Sequence, residues 1–114
     1  MTRFLTTVGA FLLLTACGSG TTINLRNGSE QHLTDVTVWG EGYRASLGSI
    51  APGQSRKFVI YPSGETGVAV SFSAEGRVYL AEPRSYFEGG GLYKVALTIS
   101  REMTVEVDVR TGLQ

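Results

Sequence analysis

From Thr21 onward the chain alternates apolar and polar residues with a period of two, in short runs broken by Gly, Pro, Asn and Ser. That period belongs to half-buried β-strands, because successive side chains of an extended backbone point to opposite faces. The first strand is expected over Thr21–Arg26, with Ile23 and Leu25 on one face and Thr22, Asn24 and Arg26 on the other. Asn27-Gly28-Ser29 carries turn chemistry and ends it. Leu33–Trp39 follows, with Val36 and Val38 inward, and Gly40-Glu41-Gly42 separates it from a weaker strand over Tyr43–Ile50. Ala51-Pro52-Gly53-Gln54 reads as a turn in which Pro presets φ and Gly is free to take φ > 0.

The run Phe58-Val59-Ile60-Tyr61, inside a strand over Ser55–Tyr61, is apolar on both faces, which predicts a central or loop-covered strand. After Pro62-Ser63-Gly64-Glu65, Val68, Val70 and Phe72 are expected inward and Ala69, Ser71 and Ser73 outward. Glu75-Gly76 makes a tight hairpin into Arg77–Ala81. Glu82–Gly91 is the longest irregular stretch. The last hairpin has the cleanest alternation: Tyr93, Val95, Leu97 and Ile99 on one strand, then Met103, Val105, Val107 and Val109 on the next, linked by Ser100-Arg101-Glu102. No window sustains apolar residues at helical spacing. Some seven to eight short strands at roughly 8–12-residue spacing predict an all-β fold, an immunoglobulin-like antiparallel β-sandwich with one wet side to each sheet.

Upstream of the strands the pattern changes. A basic start, Met1-Thr2-Arg3, leads into an apolar run from Phe4 to Leu14, and Leu14-Thr15-Ala16-Cys17 is followed at once by Gly and Ser. Eleven residues are too few to span a bilayer, which takes roughly 20. This arrangement resembles the signal of bacterial lipoproteins. The resemblance implies a signal peptide over 1–16, lipidation of Cys17 with palmitate-type chains, and a short spacer over 17–21 ahead of one domain over 22–114. Plain secretion with a free thiol and an uncleaved N-terminal anchor are the alternatives. Gly18 rather than Asp follows the cysteine, so in a two-membrane cell the resemblance favours the outer membrane, facing the periplasm.

Loss of 1–16 leaves 98 of the 114 residues, with nine basic against ten acidic side chains. A neutral balance without a basic patch excludes nucleic acid as an expected partner. With the chain's single cysteine at position 17, no disulfide can form within the domain, which has to rest on packing.

A second resemblance rests on Asn27-Gly28-Ser29, Leu33-Thr34-Asp35-Val36-Thr37-Val38 and Leu47-Gly48-Ser49-Ile50-Ala51-Pro52-Gly53-Gln54-Ser55. These stretches look like the bacterial immunoglobulin-like repeat domains of surface and secreted proteins. The resemblance covers about Thr22 to Tyr61; it implies a sandwich fold and no particular activity.

Catalytic chemistry is sparse. His32 is the only histidine, and no serine sits in a nucleophile-elbow context. Glu82 and Glu88, or Glu41 and Glu65, could form carboxylate pairs, but turns are rich in acids. Gly89-Gly90-Gly91 lacks the following helix and lysine of a phosphate loop. No enzyme activity, cofactor or metal is therefore expected. What remains is aromatic residues flanking glycine-rich turns and loops: Trp39 and Tyr43 around Gly40-Glu41-Gly42, and Tyr86-Phe87 beside Arg84. They either recognise a protein or glycan partner in the envelope or plug the open ends of the sandwich. Strand parity places all of them at the end where the first strand begins. The expected function is a lipid-anchored binding or interaction module, with a structural accessory subunit of an envelope complex as the alternative.

Overall fold

The computed structural model describes residues 20–62, 64–82, 86–87 and 93–111. Ten strands are present: β1 (Thr21–Asn27), β2 (Leu33–Gly40), β3 (Tyr43–Ile50), β4 (Ser55–Ile60), β5 (Thr66–Gly67), β6 (Ala69–Ala74), β7 (Arg77–Ala81), β8 (Tyr86–Phe87), β9 (Tyr93–Ile99) and β10 (Val105–Thr111). Two four-stranded sheets, ordered β10-β9-β1-β4 and β3-β2-β6-β7, account for eight of them, and β5 and β8 form a separate two-stranded ladder. The all-β sandwich expected from the pattern is the fold. Among the described residues all pairings are antiparallel except that of β1 with β9, which run in parallel.

Between the sheets lie Ile23, Leu25, Leu33, Val36, Val38, Ile50, Val70, Phe72, Val95, Leu97 and Ile99, each 2% exposed or less. The Phe72 ring stacks on Tyr79 across the β6–β7 ladder, with centroids 5.1 Å apart. Val105, Val107 and Val109 face the same core but are only half-buried, because β10 is an edge strand.

Local chemistry explains the turns. Gly53 has φ +81° and Gln54 N–H donates to Ala51 C=O at 3.0 Å, the turn that Pro52-Gly53 predicts. Glu75 and Gly76 both have positive φ (51° and 79°), which is the twist-matched two-residue hairpin. The final hairpin is longer than its alternation suggests. Met103 takes φ 66°, Ser100 N–H bonds Thr104 C=O, and β10 begins at Val105.

Three expectations need correction. β4 is neither central nor loop-covered: it is an edge strand, and its outward Val59 is 49% exposed, with Tyr61 just beyond at 69%. Its inward face, Phe58 and Ile60, meets the core, and apolar residues on the other face reflect a surface patch. The stretch Glu82–Gly91, expected to be irregular, contains β8, because Tyr86–Phe87 pairs with Thr66–Gly67 of β5; Ala69 faces outward as expected, across from Trp39, and is 8% exposed. Thr21, which the alternation places in the first strand and the spacer over 17–21 places outside it, is the first residue of β1 and is fully buried.

Candidate functional site

Antiparallel succession sorts the connections between the two ends of the sandwich. At one end, Asn27 of β1 bonds to Ile50 and Gln54, and the turns at Glu75-Gly76 and Ser100–Met103 lie there too. The opposite end holds the start of β1, the Glu41-Gly42 turn, and the β5–β8 ladder. The parity expected from the sequence therefore describes where the aromatic residues sit along the strands. It does not describe which way they face.

Tyr43 and Trp39 lie on opposite faces of the β2–β3 hairpin. Gly40 pairs with Tyr43 and Trp39 with Arg44, so alternation turns Tyr43 inward with Val38 and turns Trp39 outward with Thr37. The Tyr43 hydroxyl donates to Gly67 C=O at 2.8 Å, and Thr66 Oγ1 accepts the Glu41 N–H at 2.7 Å. Burial pushes the Tyr43 phenol well above its usual range, since a phenolate there would be poorly solvated. Gly40 is required at this junction: a Cβ would meet Gly67 O and come within 2.6 Å of Thr66 Oγ1 and Tyr43 Cε1. Tyr43 is thus a strap that closes the end of the sandwich by tying the hairpin to β5.

Trp39 is different. It is half-buried on the outer face of its sheet, with the Arg44 guanidinium 5.5 Å from its ring centroid. A cation over an indole holds the ring in place and leaves an amphipathic surface facing solvent. Arg44 was not among the residues expected at a site. Its role follows from the hairpin register, because a two-residue turn at Glu41-Gly42 sets Arg44 directly opposite Trp39.

The backbone of Tyr86–Phe87 forms β8 and pairs with β5, Thr66 with Phe87 and Gly67 with Tyr86. The structure thus joins β8, β5 and the Tyr43 strap in one assembly. Cys17, Arg84 and the side chains of Tyr86 and Phe87 lie outside the described residues. His32 is exposed in the loop between β1 and β2.

The outer face of the other sheet carries an open depression of about 590 Å³, lined by Thr22, Asn24, Lys57, Lys94 and Ala96 among others. At its border, Arg110 and Asp108 form an ion pair at 2.9 Å.

No protein-family model matches the chain, and no curated protein is similar to it in sequence. Among solved structures it is similar to the NMR structure of a protein from Eubacterium rectale. The TM-score is 0.55 at 19% identity, over 83% of this chain and 92% of that one. A likeness at that identity extends to the fold, which is a two-sheet sandwich.

Proposed function

We propose that this protein is a lipid-anchored envelope protein whose sandwich is a binding module held close to the membrane. The observation that carries the reading is Leu14-Thr15-Ala16-Cys17 behind a basic start and a short apolar run, with β1 beginning at Thr21. Four residues reach at most ~14 Å, so the β1-start end of the domain faces the lipid. One acyl chain holds a protein to a bilayer only with K on the order of 10⁴ M⁻¹, and a cysteine bearing two or three chains meets the requirement for stable anchoring. The outer membrane, on its periplasmic side, is the expected home.

Trp39, steadied by Arg44, is the proposed contact for a protein or glycan partner. Tyr43 and Gly40 serve the module by closing its membrane-side end.

Radiolabelled palmitate should enter the wild-type chain and not a Cys17→Ser variant, which should accumulate with its signal uncleaved. A Cys17→Ser chain that matures normally and still partitions with detergent would refute the anchor. Trp39 is the only tryptophan, so its fluorescence reports directly on a partner. An envelope fraction that shifts the wild-type emission should leave an Arg44→Ala variant bound more weakly.

A further inference from the structure

The two sheets end in four edge strands, β3, β4, β7 and β10. An edge offers unpaired N–H and C=O groups to any other strand, and proteins blunt edges with charges, prolines or bulges. Three of these edges are blunted in that way. β4 carries Arg56 and Lys57, β10 carries Glu106, Asp108 and Arg110, and β3 carries Arg44 and a register shift at Gly48. β7 is not: after Arg77 it runs Val78-Tyr79-Leu80-Ala81 without a charge or a proline. Val78 is 79% exposed and Leu80 is 62% exposed. Among the described residues nothing pairs with its outer side.

The hairpin register says which backbone groups are free. In a two-residue hairpin the flanking residues, Ala74 and Arg77, form a hydrogen-bonded pair. Bonded and non-bonded pairs then alternate along an antiparallel ladder. Arg77, Tyr79 and Ala81 therefore direct their N–H and C=O groups to β6, while those of Val78 and Leu80 point outward. The free edge thus presents two donors and two acceptors, placed symmetrically about Tyr79.

From this geometry we infer that β7 pairs with β7 of a second copy, in antiparallel register about a two-fold axis through Tyr79. Val78 of each copy then faces Leu80 of the other, all four free groups of each strand are bonded, and the two sheets merge into one of eight strands. The four outward side chains become a single apolar cluster, cross-strand neighbours of the kind that stabilise sheets. Charge agrees with this register. Exposed Arg77 at one end of the strand is brought to the end where exposed Glu82 of the second copy lies, whereas parallel pairing would bring like charges together. A C2 interface uses the same patch twice, and this edge is complementary to itself. The contact is small, so the dimer is weak in dilute solution and is favoured by confinement to a surface.

The test is sedimentation equilibrium of the full-length chain in detergent over about 10–500 µM, with amide exchange followed by NMR at both ends of that range. The expected result is a reversible monomer–dimer equilibrium. The Val78 and Leu80 amides should exchange about threefold more slowly at the high concentration for a Kd of about 100 µM, and at most about sevenfold for a tighter dimer, since exchange tracks the unpaired fraction and mass action limits its fall over this range. The Tyr79 amide, bonded to β6, should be protected at both concentrations and reports that the fold is intact. Val78→Lys and Leu80→Lys, each with Tyr79 still protected, should abolish the dimer. The inference fails if the Val78 and Leu80 amides exchange equally fast at both concentrations. It also fails if either lysine variant, still folded, dimerises like the wild type, which would place the contact on another face.

Discussion

Asn27 is the residue whose replacement tests the reasoning most directly, because it is a fully buried polar side chain with every hydrogen-bonding group used. Its Nδ2 donates to Gln31 C=O at 2.8 Å and to Ile50 C=O at 3.0 Å. Its Oδ1 accepts the Ser29 N–H at 2.9 Å and the Ser29 hydroxyl at 2.7 Å. The backbone adds bonds to Gln54 C=O and from Gly53 N–H. One side chain therefore fastens the end of β1, in one sheet, to the end of β3, in the other. In Asn27→Ala, four bonds go at roughly 1 kcal/mol each, and the buried Ser29 amide left without a partner adds to that, so the loss should be about 3–5 kcal/mol. A domain of this size has only about 5–10 kcal/mol to lose. Asn27→Asp should be at least as damaging at neutral pH, since a carboxylate would face the Gln31 and Ile50 carbonyl oxygens without solvent. Burial raises that carboxyl above its unfolded pKa near 3.9, so the folded state binds more protons, and the Asp variant should weaken further as pH rises through about 4. Urea unfolding followed by Trp39 fluorescence measures both. A loss below about 1 kcal/mol for Ala would mean that water replaces the network at little cost. An Asp variant as stable as wild type would refute the donor assignment.

Phe72→Ala should cost about 3–5 kcal/mol by urea unfolding, because the ring is buried and stacked on Tyr79. Gly40→Ala should cost about 1–3 kcal/mol, since the added Cβ runs into backbone at Gly67 as well as into Tyr43 and Thr66. Tyr43→Phe should lose about 1 kcal/mol with the bond to Gly67. In wild type the Tyr43 phenol should stay neutral in an ultraviolet titration to about pH 11, past the ordinary value near 10. A folded-state pKa raised in this way makes stability fall as pH rises above about 10, and that alkaline loss should be smaller in Tyr43→Phe.

Residue pattern alone determined the strands of the two four-stranded sheets, their facing and most turns, but not the β5–β8 ladder, whose β8 lies in a stretch expected to be irregular. Alternation of Ile23 and Leu25, of Val36 and Val38, and of Val95, Leu97 and Ile99 marks the core, because a strand has one degree of freedom in facing and burial selects it. Gly53 and Gly76 announce their turns through the positive φ that glycine adopts at little cost, whereas Glu75 takes φ 51° because the two-residue hairpin imposes it. Lateral order was not legible in this way. Whether a strand lies at an edge depends on which strands close beside it, and no local property of Phe58-Val59-Ile60-Tyr61 distinguishes an apolar surface patch from a central strand. The parallel pairing of β1 with β9 joins residues some seventy positions apart, so only chain topology decides it. The same holds at the candidate site. The sequence placed Trp39 and Tyr43 at one end, but the two-residue turn between their strands put one side chain inside as a strap and the other outside over Arg44. Which of two neighbouring rings is available to a partner is a matter of register, and register is settled by tertiary pairing.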